Sequence, residues 1–365
     1  MRNITMTLAL LLFTTCLVQA QTEKNSSRWR KGIMVDEFIY TKAPYPSCHS
    51  ATIAETPNGL VAAWFGGTRE RNPDVCIYLS HKKDGKWTPS VKVADGVQND
   101  TLRYPSWNPV LYQVPGGDLL LFYKVGPKPS EWWGMMKRSS DGGETWSKAE
   151  ALPKGYIGPV KNKPILLKDG TLLCGSSVEG HGWKVHFEMT KDFGKTWTMT
   201  DPINDGKIFN AIQPTILTYK DGSLQALSRT RNRVISSSWS FDNGESWNLM
   251  QPSGLPSNNS GIDGVSLADG TQLLVYNHVK TPANAPKGYR TPLNVAVSKD
   301  GKHWEAALVL EDSEISQYSY PAVIQTSDGL VHIVYTWRRQ RIKHVVIDPK
   351  KLETTPIVNE KWPEE

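Results

Sequence analysis

The chain has 365 residues, 39% of them hydrophobic and 21% charged, with a formal net charge of +6 at pH 7. That length is too great for a small stapled domain and fits one large domain, and the mild positive balance does not point to nucleic acid. Four cysteines, one of them in the leader, make no disulfide framework, and the spacing of Cys48, Cys76 and Cys174 matches no metal site, so all three read as buried small hydrophobes.

Residues 1–20 carry Arg2, an apolar run from Met6 to Leu12 and the ending Val-Gln-Ala20. They read as a secretory signal peptide, too short to span a membrane, which implies an exported protein, secreted or periplasmic. Cys16 in that segment fits a lipid attachment site poorly. Residues 21–365 read as a single domain. Residues 33–40, IMVDEFIY, alternate as a strand ahead of the first repeat, and Ile342–Ile347 is a second candidate for the strand that closes a ring.

The central pattern is Ser139-Ser-Asp-Gly-Gly-Glu-Thr-Trp146, a tight turn bent by Asp141 and two glycines and anchored by tryptophan. It recurs as Thr190-Lys-Asp-Phe-Gly-Lys-Thr-Trp197 and Ser240-Phe-Asp-Asn-Gly-Glu-Ser-Trp247. Shorter forms end at Trp87 and Trp304. A period of about fifty residues marks a repeat array. A glycine turn joins two apolar runs six times, at Gly59, Gly117, Gly170, Gly222, Gly270 and Gly329, each a hairpin signal. Six hairpins, mostly followed by an Asp-Trp turn and further strand, predict an all-β, six-bladed β-propeller. The basic run Arg338, Arg339, Arg341 and Lys343 reads as a solvated outer strand whose charges protect a sheet edge.

In a propeller the first strand of each blade lines the central channel, so polar residues at the starts of those strands converge. They are His49, Asn108, Lys163, Gln213, Asp263 and Tyr320, with Tyr318 two residues earlier. A set containing His, Lys, Asp and Tyr suits a binding pocket better than a random loop composition does. Arg229 and His278 follow second strands and Arg290 opens a later one. Two arginines facing one pocket suit a carboxylate, because a planar guanidinium grips it with paired bonds. Trp107, Trp132, Trp133, Trp183 and Trp337 lie outside the Asp-Trp turns, where they can pack in the core or stack on sugars. His181 and His186 lie five apart on an expected strand and so face opposite sides, which argues against a shared metal. No Gly-rich phosphate loop is present, and neither metal nor cofactor is implied.

The Asp-box repeats with this arrangement resemble the sialidase (neuraminidase) superfamily, over nearly the whole chain after the leader, and most of all its secreted BNR-repeat, sialidase-like branch. The resemblance implies three arginines holding a substrate carboxylate, a tyrosine nucleophile activated by a glutamate, and an aspartate acid/base on an early loop. Arg229 resembles the second arginine and Arg290 the third. Tyr318-Ser-Tyr320 resembles the tyrosine motif, and Asp74 lies near the acid/base loop. Two positions depart from the pattern: His49 stands where the first arginine would be, and Gln213 where the activating glutamate would be. A glutamine accepts no proton as a carboxylate does, and a tyrosine of ordinary pKa near ~10 is a weak nucleophile without that base.

The altered set suits removal of the proton alpha to a sugar carboxylate, with His49 and Tyr320 or Tyr318 sharing acid and base roles and Arg229 and Arg290 neutralising the carboxylate. The set is similar to that of propeller-fold lyases acting on uronate-rich polysaccharides. The leading expectation is therefore β-elimination at a terminal uronic acid of an oligosaccharide, as a lyase or dehydratase, by a monomer with no membrane span and no nucleic-acid partner. The alternatives are an exo-glycosidase releasing sialic acid or a related acidic sugar, with Asp74 or Asp263 supplying acid or base, and a non-catalytic glycan-binding propeller.

Overall fold

The computed structural model describes residues 28–314 and 316–364, all β apart from short turns and one 3-10 segment, Pro349–Lys351. The expected leader and Cys16 lie outside the described residues. Six antiparallel sheets form a six-bladed β-propeller. Their first strands are Ser47–Thr56, Ser106–Gln113, Ile165–Leu166, Ala211–Thr218, Asp263–Ser266 and Tyr318–Gln325. Each pairs with the next strand across the glycine turn read from the sequence. Among the described residues no helix is long and apolar enough to cross a membrane.

Both proposed seam strands are used, and they pair with each other. Ile33–Phe38 lies antiparallel to Arg341–Ile347 and completes blade six, so strands from before the first hairpin and after the last share one sheet. A further short strand, Thr355–Pro356, adds to the outside of blade five. The basic run is accordingly not an exposed edge. Lys343 is held by Asp36 and Glu311, both at 2.8 Å, across the seam of blades five and six. Arg338 and Arg339 lie in the three-residue hairpin tip, 338–340, before that strand, with φ of +52° and +61°.

The Asp-Trp turns join the third and fourth strands. In three of them one pattern repeats. Asp141, Asp192 and Asp242 accept from the backbone and hydroxyl of Thr145, Thr196 and Ser246 at 2.5–2.9 Å. Trp146, Trp197 and Trp247 each donate their indole N–H to a glycine carbonyl at 3.0 Å. These hydrogen bonds hold the Asp141 carboxyl well below the usual carboxylate range.

Four first strands carry the same irregularity. The ladder slips by one residue after His49, Trp107, Ile212 and Ser319. The next residues, Ser50, Asn108, Gln213 and Tyr320, sit in the left-handed region at φ of +56°, +33°, +58° and +54°. A bulge of this kind re-aims side chains. Left-handed backbone in a non-glycine residue costs about 1–3 kcal/mol and persists only when its surroundings hold it.

Candidate active site

At the hub, His49, Gln213, Arg229, Arg290 and Tyr320 come together. The His49 and Tyr320 rings lie 4.0 Å apart between centroids. The Arg229 and Arg290 guanidinium carbons stand 5.6 and 5.5 Å from the Tyr320 ring centre. Arg229 donates to the Tyr320 hydroxyl at 2.6 Å and to Gln213 Oε1 at 3.1 Å. The Gln213 amide nitrogen approaches the same hydroxyl at 3.5 Å. Both neighbours of the tyrosine oxygen are therefore donors, so its own proton points elsewhere, and a phenolate formed there would be stabilised.

His49 is buried. Its Nδ1 is 2.9 Å from Thr336 Oγ1, while Nε2 is buried without a hydrogen-bond partner among the described residues. Burial, then the positive charges of Arg339, Arg290, Arg229 and Lys161, hold its pKa well below the ordinary 6.5. The ring is a neutral imidazole at neutral pH. With the proton on Nδ1 and donated to Thr336, Nε2 presents a lone pair. Arg290 as a residue is partly exposed, its guanidinium set into the hub, and it donates to Ser319 Oγ at 3.4 Å. Burial brings its pKa to about 10, so it remains cationic.

Three further groups adjoin the hub: Lys161 and Asn259, not singled out in the sequence, and Arg339, read there only as part of the basic run. Lys161 is buried beneath Tyr320. It donates to Asn162 Oδ1, the Ile262 carbonyl and the Pro321 carbonyl, at 2.8, 2.9 and 2.5 Å, and burial brings its pKa down to about 7. Asn259 accepts from Arg229 at 3.2 and 3.3 Å and fixes the guanidinium plane. Arg339 reaches Glu70 at 2.5 Å and Gln317 at 3.2 Å, while its carbonyl accepts from the Cys48 N–H, next to His49.

The remaining expected residues lie otherwise. Tyr318 turns into the core between blades five and six, its hydroxyl on Ser313 and Arg338, so it does not share the pocket with Tyr320. Asp263 is fully engaged by Thr215, Lys163, the Val323 N–H and its neighbour Gly264, tying first strands together rather than presenting an acid or base. Lys163 is taken up in that tie. Asp74 is exposed and bonded to Thr68, and the acid of its loop that reaches the basic cluster is Glu70. Asn108 donates to the Val160 carbonyl. His278 is bonded to Tyr276 and to the Glu360 carbonyl of the C-terminal segment. Glu179, at the hairpin tip of blade three, is held above the usual carboxylate range by burial against the pull of Arg229 and Arg231. Among the described residues no group of three or more His, Cys, Asp or Glu is placed to hold a metal.

A six-bladed propeller with a cationic, histidine- and tyrosine-bearing hub places the molecule among the sialidase-like propellers. The chain belongs to the BNR repeat-like domain family, whose profile matches residues 58–333. A sialidase of Paraclostridium sordellii is 27% identical over 186 residues, 44% of each chain, so the match spans under half the length of that relative. Among solved structures, a protein of unknown function from Dyadobacter fermentans superposes with a TM-score of 0.70 at 18% identity, covering 87% of this chain and 99% of that one. The NanB sialidase of Streptococcus pneumoniae does so at 0.69 and 12% identity, covering 87% and 71%. At those identities the likeness shows the fold alone.

Proposed function

We propose that the protein is a carbohydrate-active enzyme that carries out β-elimination at the terminal uronic acid of an oligosaccharide, giving a 4,5-unsaturated ring. The observation that supports this most is the donor environment of Tyr320. A tyrosine nucleophile needs an acceptor to take its proton, and here Arg229 and Gln213 both donate to its oxygen. The same environment suits a tyrosine that gives up its proton and is left as a stabilised phenolate.

Arg229 and Arg290 bind the uronate carboxylate, which acidifies the C5 proton and stabilises the enolate-like intermediate. His49 Nε2 takes the C5 proton. The C4–C5 double bond forms as the C4–O bond breaks, and Tyr320 protonates the departing oxygen. Water leaves if position 4 carries a free hydroxyl, and a sugar leaves if it is glycosylated. After product leaves, the imidazolium loses its proton and the phenolate regains one, which restores the starting state of the two neighbouring rings. A bound carboxylate also offsets the cations that depress His49, so the base strengthens when substrate arrives.

The test is ultraviolet absorbance of the unsaturated uronate with product mass spectrometry, on oligosaccharides ended by glucuronic, iduronic, mannuronic or guluronic acid. The chromophore with loss of water, or with a shortened chain, is expected. No chromophore on any member overturns the reading. Hydrolysis of a terminal acidic sugar is the second reading, favoured by Glu179, whose raised pKa suits an acid near Arg229, and by the sialidase relative. Free acidic sugar without the chromophore would select it.

A further inference from the structure

Between blades two and three a groove of about 320 Å³ opens beside the hub, lined among others by Pro129, Trp132, Ile157, Glu179, His181 and Lys184. We propose that this groove binds the sugar units following the terminal acidic one, with Trp132 as the stacking face, Lys184 as the cation for a carboxylate or sulfate on those units and His181 as a hydrogen-bonding neighbour.

The inference rests on the reading that a terminal acidic sugar occupies the hub, and it holds for elimination and hydrolysis alike. Two observations connect groove and hub. The first is a continuous line of aromatic rings. Tyr320 meets His49, which meets Phe65 at 5.7 Å between centroids; Phe65 meets Trp107 at 6.4 Å, and Trp107 meets Trp132 at 5.8 Å. Trp107 is fully buried with its N–H on the Gly126 carbonyl, whereas Trp132, at the end of the line, keeps part of its surface open. His49 and Phe65 are buried as well, so the line ties the groove wall to the hub through the interior, with open surface only at its two ends, Tyr320 and Trp132.

The second is the blade-three hairpin tip, closed by the pairing of Val178 with Lys184. Its Trp183 packs under Arg231 and Arg229, at 4.0 and 5.2 Å. The same tip presents Glu179, His181 and Lys184 to the groove. One short segment thus supports an arginine of the hub from one side and lines the groove from the other. The volume lies in the range of small-ligand sites, and mixed aromatic and polar lining suits a sugar, which has apolar faces and polar edges.

The experiment is isothermal titration of the Tyr320→Phe enzyme, so that binding is read without turnover, with di-, tri- and tetrasaccharides ended by each of the four uronic acids. Affinity is expected to rise with length, and Trp132→Ala to abolish most of that rise, on the order of tenfold for a lost aromatic stack. Trp132→Phe, which keeps an aromatic face, is expected to retain most of it and controls for collapse of the neighbouring Trp107. Lys184→Gln should lower affinity for sulfated tetrasaccharides more than for unsulfated ones. Binding that is independent of length, or a length effect unchanged in Trp132→Ala, overturns the groove while leaving the hub reading intact. No binding by any member overturns both.

Discussion

The turns at Asp141, Asp192 and Asp242 repeat their side chains, their hydrogen bonds and the indole contact behind them. The bulges at Ser50, Asn108, Gln213 and Tyr320 repeat only the backbone: the same ladder slip and the same left-handed residue, with four different side chains. The turns lie between the outer strands and have one task, to hold two strands at a fixed angle, so one set of residues serves three blades alike. The bulges lie at the hub, where the blades meet one pocket from different sides. There the shared backbone supplies position, and the side chain is free to supply an anchor in one blade and a proton donor in another. Within a repeat protein, divergence at equivalent positions thus marks the working surface.

The comparison is broken most severely at Tyr320. Tyr320→Phe keeps the ring, its packing and its bulge but removes the hydroxyl. Turnover is expected to fall by about 10²–10⁴-fold, the usual weight of a general acid, with the melting temperature unchanged. Asp192→Ala should do the reverse: the melting temperature falls by several degrees as four hydrogen bonds to the carboxylate are lost, while kcat per folded molecule stays the same. Product assays beside thermal melts of both variants decide it. A Tyr320→Phe enzyme of full activity would return the hub to a binding role.

The pH profile sharpens the hub side. His49 must be neutral to act as a base, and its free-enzyme pKa lies well below 6.5. The acidic limb of kcat/KM, which reports the free enzyme, should therefore fall below the ordinary histidine range, with activity sustained into mildly acid solution. In the complex the substrate carboxylate offsets Arg339, Arg290 and Arg229, so the limb of kcat should lie at higher pH than that of kcat/KM. Identical limbs, or a kcat/KM limb above 6.5, would remove His49 from the base role.

Gly261 sets a smaller, steric test. A Cβ there would stand 3.1 Å from Tyr320 and 3.2 Å from Lys161, tight enough that the ring must give by a few tenths of an ångström. Gly261→Ala should leave the fold intact and lower kcat severalfold, since catalytic geometry tolerates little displacement. An unchanged kcat would mean that the ring position is not critical.

The difference between the two devices also explains what could be read from the chain. The Asp-Trp turns and hairpins are local in sequence, so six blades were legible from identity and spacing. His49, Gln213 and Tyr320 were legible because each lies at the start of the first strand of its repeat, and Arg229 and Arg290 because each flanks a later apolar run. Tyr318 and Tyr320 could not be separated: two residues apart on a strand they share a face by simple alternation, and only the slip between Ser319 and Ala322 sends one to the core and the other to the hub. Lys161 was hidden because the first strand of blade three is only Ile165–Leu166, so its hub residue comes from the loop before it. Arg339 was masked by its neighbours: in a run of four cations, nothing local marks the one that the hairpin tip turns toward His49. Asp74 and Glu70 share a loop, and the acid that meets the basic cluster is Glu70, four residues earlier.

The smallest expected effect separates the turns from one another. The turn at Asp300 is a residue shorter, and His303 takes the place of the threonine hydroxyl, its Nδ1 2.6 Å from the carboxylate. In that shortened form the Trp304 indole N–H is buried without a partner among the described residues, whereas Trp146, Trp197 and Trp247 each have one. Replacing tryptophan by phenylalanine removes a satisfied donor in the last three and an unsatisfied one in the first. A net hydrogen bond is worth about 1 kcal/mol, and leaving a carbonyl unpaired adds to that loss, while deleting a buried orphan donor recovers its desolvation penalty. Trp247→Phe should therefore destabilise by more than the lost ring volume alone, and Trp304→Phe by less, a difference of about 1–2 kcal/mol measurable by denaturant unfolding. Equal losses would mean that the indole hydrogen bond does not contribute, and that the tryptophans of the repeat act through their apolar faces only.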